Sequence, residues 1–159
     1  MGEIRVKVCL TNATDEALAR RGTIAMDKIR RYEADALVDT GAVRCVIPPQ
    51  VLERLGSGVR GKRVAEYADG RKEAVDVTEA VIVDIFGRDT LEEALVLGDE
   101  VLIGQTVLEK LDLLADCANQ RLIPNPAHPD QPVMYDCDFQ LDPPKSASAD
   151  ADAPITSKY

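Results

Sequence analysis

From Glu3 to Leu10 every second residue is apolar: Ile4, Val6, Val8 and Leu10 alternate with Glu3, Arg5, Lys7 and Cys9. A period of two marks a strand with one buried and one solvated face. Such a strand cannot cover its own apolar face, so it commits the chain to a sheet packed on a core. The sequence supplies the partners. Residues 33–38 form a second extended run that ends at Asp39-Thr40-Gly41, and residues 43–47 form a third. Runs at 62–67 and 71–77 flank Ala68-Asp69-Gly70, an Asp-Gly step that predicts a hairpin. Residues 81–86 are strongly β-prone. Gly87-Arg88-Asp89 reads as the turn after them and 94–97 as the following strand. Val101-Leu102-Ile103-Gly104 has the composition of a buried strand end, and Arg121-Leu122-Ile123 is a last strand stopped by Pro124.

Helical signals are fewer. Residues 16–21 offer one or two turns before Gly22. Proline at 48 and 49 and glycine at 56 bound a short helix. Residues 105–114 place Val107, Leu108, Leu111 and Leu114 on one side of another. The expected fold is mainly β, with many short strands and two short helices. Residues 1–142 are read as one domain. Residues 143–159 are Pro, Ser, Ala and Asp with almost no apolar anchors, and are expected to be a disordered tail.

Composition excludes several function classes. Of 159 residues, 19 are basic and 28 acidic, a formal net charge of −9. With no basic run interleaved with aromatics, direct binding to nucleic acid or to an anionic membrane is disfavoured. Cys9, Cys45, Cys117 and Cys137 form no CxxC pair, and His128 is the one histidine. Zinc needs thiolate or imidazole ligands at short spacing, so no metal or cofactor is expected. The N-terminus lacks the continuous apolar stretch of a signal peptide, and no later run is long enough to span a bilayer. A cytoplasmic protein with reduced thiols is the expectation.

The chemistry concentrates at Asp39. A carboxylate that activates water must be held rigidly, and Ala36-Leu37-Val38 is a packed approach strand. Gly41 permits a tight turn without a Cβ clash, Thr40 offers a hydroxyl, and Ala42 leaves room beside the carboxylate. Downstream stands Leu102-Ile103-Gly104, followed directly by a helix, with the Tyr67-Ala68-Asp69-Gly70 hairpin between the two.

That order resembles the retropepsin-type aspartic peptidases, and in residues 96–109 especially their small bacterial and archaeal single-lobe forms. The likeness runs over roughly residues 4–126. It implies a closed β-barrel-like acid-protease fold with a flap hairpin and one or two short helices. It also implies a homodimer in which Asp39 from each copy forms the catalytic dyad. Thr40, Gly41 and Ala42 would support the loop. Leu102, Ile103 and Gly104 would pass close to it, and residues 67–70 would close over a peptide or unfolded protein. One Asp-Thr-Gly per chain excludes a single-chain, two-lobed enzyme. The rival is a non-enzymatic dimeric peptide-binding or assembly module on the same fold.

Other polar residues receive plainer readings. Asp35 has the same strand parity as Asp39 and is read as solvated rather than as half of a carboxylate pair. Tyr67 either contacts substrate or packs its own hairpin. Glu92, Glu93, Asp112 and Asp116 read as solvated faces, His128 as a surface loop residue, and Cys45 as a small buried hydrophobe. The helix at 105–114 reads as core. Residues 120–123 are a candidate for pairing with a second subunit.

Overall fold

The computed structural model describes residues 2–133. The expected tail at 143–159, its boundary at 142 and Cys137 lie outside them. Eleven strands are present among the described residues: β1 (Ile4–Asn12), β2 (Arg31–Val38), β3 (Val46–Ile47), β4 (Val59–Glu66), β5 (Lys72–Thr78), β6 (Val81–Ile85), β7 (Arg88–Glu92), β8 (Leu95–Val96), β9 (Leu102–Ile103), β10 (Leu113–Asp116) and β11 (Arg121–Pro124). Three α-helices join them, α1 (Ala13–Arg20), α2 (Pro49–Leu55) and α3 (Gln105–Leu111), with one short 3-10 turn at Met26–Lys28. None is long and apolar enough to cross a membrane.

Nine strands make one curled, half-barrel sheet in the order β4-β5-β8-β3-β9-β2-β1-β6-β7, and β10 and β11 pair separately. The alternation that opens the sequence sets the register. Ile4, Val6, Val8 and Leu10 are buried, and β1 pairs antiparallel with β2 from Ile4↔Val38 to Thr11↔Arg31. The inward side chains meet Ile47, Leu55, Val81, Val83, Ile85, Ile103, Val107, Leu108 and Leu111 in one core cluster. A one-residue slip of β1 would turn its apolar set outward, so core burial fixes the pairing. α2 ends as expected at Gly56, whose left-handed φ of 60° is the conformation glycine adopts without a Cβ penalty.

Several expectations change. The run at 43–47 is a strand only over Val46–Ile47, because Val43 and Arg44 are drawn into the Asp39 loop. The turn expected at 87–89 is centred on Phe86 and Gly87, both at positive φ (57° and 79°). Arg88 and Asp89 therefore already belong to β7, paired as Ile85↔Arg88 and Asp84↔Asp89. α3 stops at Leu111 rather than Leu114, because Asp112 adopts a left-handed φ of 55° and Leu113 begins β10.

Candidate functional site

β2 delivers Asp39 to the centre of the sheet. It lies between β1 and β9 and runs parallel to β9 through Leu37↔Leu102 and Val38↔Ile103. The pairing continues one residue past the strand, where the Asp39 N–H donates to the Ile103 carbonyl at 3.0 Å. The backbone of Asp39 is thus fixed by β9 while its side chain is exposed. Oδ1 accepts from the Gly41 N–H at 3.0 Å, and the Ala42 N–H closes the turn on the Asp39 carbonyl at 3.1 Å. A Cβ on Gly41 would sit 3.2 Å from Oδ1, so glycine leaves the carboxylate its room. Thr40 is exposed beside it and Ala42 is half-buried.

The turn is locked from its far side by the start of α3. The helix is preceded by Gly104, which has no side chain to cap the free N–H groups of the first turn. Those donors find the Asp39 loop. Gln105 N–H donates to the Ala42 carbonyl at 2.7 Å, and Thr106 N–H and Oγ1 donate to the Val43 carbonyl at 3.1 and 2.8 Å. Two segments distant in sequence cross at this point with almost no space between them. A Cβ on Gly104 would lie 2.6 Å from the Arg44 carbonyl carbon and oxygen and 2.8 Å from the Val43 oxygen. Asp39–Ala42 and Leu102–Gly104, which the family likeness implied would pass close to one another, form one structural unit. Thr106, Gln105 and Val43 belong to it too. The sequence carried one faint signal for them, a helix start with no capping side chain of its own.

The hairpin turn is not part of that unit. It joins β4 and β5 at the edge of the sheet, with β8 and β3 between β5 and β9. Tyr67 N–H donates to the Arg71 carbonyl at 2.8 Å, and Gly70 N–H to the Tyr67 carbonyl at 2.9 Å. Tyr67 Oη donates to Glu73 at 2.9 Å, and the Arg71 guanidinium stands 4.5 Å from the ring centroid. Tyr67 packs its own hairpin. Asp69 accepts from the Arg71 N–H at 2.9 Å, as turn chemistry requires, and Ala68 and Gly70 are exposed.

Asp35 is exposed, opposite Lys7 on β1. Cys45 is buried beneath the Asp39 loop. Burial pushes its thiol up to about 11, against a smaller opposing effect of the Gly104 backbone. Three residues read as solvated or superficial are not. Glu92 is buried and pairs with Lys110 at 3.1 Å, because strand parity turns it inward. Asp112 accepts from Asn125 Nδ2 at 2.9 Å and Val133 N–H at 3.0 Å, and meets His128 Nδ1 at 2.7 Å. These contacts hold its carboxyl below the usual range, the Asn125 hydrogen bond foremost. His128 is accordingly half-buried rather than a free loop residue. Among the described residues no group of three His, Cys, Asp or Glu side chains is placed to hold a metal ion.

A family model described as aspartyl protease matches residues 25–107, a stretch that takes in Asp39–Ala42, the hairpin and Leu102–Gly104. Among solved structures, the retroviral protease-like domain of Ddi1 from Leishmania major is 18% identical, with 79% of this chain and 90% of that chain covered and a TM-score of 0.48. EIAV protease complexed with the inhibitor HBY-793 is 19% identical, covering 67% and 86%, at a TM-score of 0.48. Simian foamy virus protease is 17% identical, covering 65% and 90%, at 0.42. No curated protein sequence matches the chain.

Proposed function

Because the chain belongs to the aspartyl protease family, we propose that it is a homodimeric aspartic endopeptidase of the retropepsin type, with one Asp39 from each subunit forming the dyad. One observation carries the assignment. The Asp39 carboxylate is exposed and, among the described residues, accepts one hydrogen bond, from Gly41, while its backbone is fixed at 3.0 Å to Ile103. Oδ2 accepts from no donor among the described residues, and the backbone beneath it is held by β9.

Two such carboxylates brought together cannot both ionise cheaply, so they share one proton. The ionised member takes a proton from water as it attacks the scissile carbonyl. The protonated member donates to the carbonyl oxygen; as the C–N bond breaks, the first carboxyl gives the proton it took from water to the leaving amine and the second takes back its proton from the tetrahedral hydroxyl. The acid and base roles belong to the pair, and a single subunit has neither division of labour. Thr40 would steady the loop across the two-fold axis, and Gly41 and Ala42 would form the floor. The β4–β5 hairpin, tipped by residues 67–70, would fold over an extended peptide held through its main chain.

The test is Asp39→Asn, assayed on an unfolded protein across pH with and without a pepstatin-type inhibitor. Sedimentation checks that the dimer is retained. Cleavage is expected to fall by about a hundredfold or more. A variant that cleaves as well as the parent removes Asp39 from the mechanism. A parent that dimerises but never cleaves in an inhibitor-sensitive way points instead to a peptide-binding module.

A further inference from the structure

The loop that carries Asp39 carries one cation as well. From Thr40 to Gln50 the only ionisable side chains are the Cys45 thiol, which is buried, and Arg44, which is exposed. The Arg44 backbone is held as firmly as that of Asp39. On one side the Val43 carbonyl accepts from Thr106 N–H and Oγ1, and on the other the Cys45 carbonyl accepts from the Leu95 N–H at 3.0 Å. Gly104 closes the space behind it, where a Cβ would stand 2.6 Å from the Arg44 carbonyl carbon and oxygen. The chain itself bounds the distance to the carboxylate. The bond from the Ala42 N–H to the Asp39 carbonyl closes a turn whose end Cα atoms lie within about 7 Å. Two further residues add at most about 7 Å, so the Arg44 backbone stands within about 14 Å of that of Asp39. An extended peptide rises about 3.4 Å per residue, so a substrate whose scissile bond lies at Asp39 presents a side chain to Arg44 within about four residues of that bond.

The guanidinium is not neutralised by its surroundings. Among the described residues it makes no ion pair or hydrogen bond. The carboxylates of the β4–β5 hairpin are engaged within the hairpin. Asp76 pairs with Lys62 at 2.7 Å, Glu73 accepts from Tyr67 Oη at 2.9 Å, and Asp69 and Glu66 stand 3.9 Å from Arg71 and Lys72. Glu100, on the loop before β9, is held by Arg5 at 3.1 Å. A peptide lying along the Asp39 loop under the hairpin removes water from Arg44, and a charge so covered costs free energy until it is paired. A substrate carboxylate pairs with both prongs of the guanidinium, a neutral side chain leaves it bare, and a basic one repels it.

Resting on the peptidase reading of Asp39, we propose that Arg44 determines substrate specificity: the protein cleaves extended peptides that carry Asp or Glu at a fixed position within about four residues of the scissile bond, with that carboxylate paired to the Arg44 guanidinium. A homodimer presents one Arg44 on each side of its two-fold axis, so the preferred position recurs at equal distance before and after the bond.

Cleavage sites in a reduced, carbamidomethylated protein, mapped by mass spectrometry, test this. The parent is expected to show Asp and Glu enriched at that position, Arg44→Lys to keep the enrichment in weaker form, and Arg44→Glu to show Lys and Arg there instead. Paired peptides with Asp or Lys at the position then give a ratio of kcat/KM of about tenfold or more in favour of Asp for the parent, inverted in Arg44→Glu. Added salt narrows the parent's ratio, and so does a pH below about 4, where the substrate carboxylate takes up a proton. A reversal of sign is an effect that a merely structural role for Arg44 does not produce. Cuts that depend on Asp39 but show no acidic position, or one that persists in Arg44→Glu, overturn the role of Arg44 and leave that of Asp39 standing. A parent that makes no Asp39-dependent cut overturns both. Loss of the dimer in either variant, seen by sedimentation, makes Arg44 a subunit contact and also overturns the proposal.

Discussion

Replacing Gly104 by alanine adds one methyl group at the crossing that locks the Asp39 loop. Gly104 has φ −88° and ψ 173°, an extended conformation open to any residue, so the whole effect is steric. The new Cβ lies 2.6 Å from the Arg44 carbonyl carbon and oxygen, where ordinary contact begins at 3.4 Å. Both obstacles are backbone, and no side chain can swing aside. The segments must separate by about 0.8 Å, which is enough to break several of the loop's contacts. Gln105 N–H to Ala42 would stretch from 2.7 Å, and the two Thr106 donors to Val43 from 3.1 and 2.8 Å, to or beyond the limit of a hydrogen bond. Three bonds at about 0.5–1.5 kcal/mol each, net of the water that replaces them, give a loss of about 1.5–4.5 kcal/mol. Urea unfolding measures it as a lower midpoint at unchanged m. Gly61→Ala is the matched control, since a Cβ there meets nothing within 4 Å. A Gly104→Ala variant within about 0.5 kcal/mol of the parent, like a neutral surface change, would refute the claim that this crossing is tight. If the protein cleaves peptides, Gly104→Ala should also slow cleavage more than its stability loss predicts, because Asp39 rides on the displaced loop.

Arg88→Met should lower stability by about 2–4 kcal/mol in the same assay, because four carbonyls, of Leu111, Asp112, His128 and Pro129, lose a buried charged donor. A loss below about 1 kcal/mol would mean that water replaces the guanidinium without penalty. Cys117 is exposed and should be alkylated far faster than buried Cys45, as peptide mapping after a brief iodoacetamide pulse will show. The Cys45 thiol is raised from 9.0 to about 11 in the folded chain, so the unfolded chain ionises first. Its contribution is intact below pH 9 and is lost as pH rises toward 11. Over that interval Cys45→Ala should lose less stability than the parent, and parallel curves would contradict the buried assignment.

Much of the fold was legible because it is encoded locally. The alternation of β1 fixes which face is buried, the Pro48-Pro49 to Gly56 punctuation bounds α2, and Asp69-Gly70 places the hairpin turn. The candidate site was legible as two fragments, Asp39–Ala42 and Leu102–Gly104, each marked by glycine next to an apolar strand. What escaped is non-local. β7 was mistaken for a turn because Phe86, a poor residue for positive φ, occupies the turn position that Arg88-Asp89 seemed to claim. Glu92, Asp112 and His128 read as solvated because nothing near them in sequence announces Lys110, Asn125 or Val133.

The sequence by itself determined a mainly β chain with one approach strand ending in a carboxylate and one apolar-apolar-Gly strand end, because period, turn chemistry and glycine placement act over a few residues. Only the tertiary structure decided that the two strands pair in parallel as Leu37↔Leu102 and Val38↔Ile103, that a Cβ at Gly104 would stand 2.6 Å from the Arg44 carbonyl, and that the Asp39 loop caps α3. The physical reason is that these contacts satisfy backbone donors and acceptors whose partners lie some sixty residues away, and no local pattern specifies which distant carbonyl a free N–H will find.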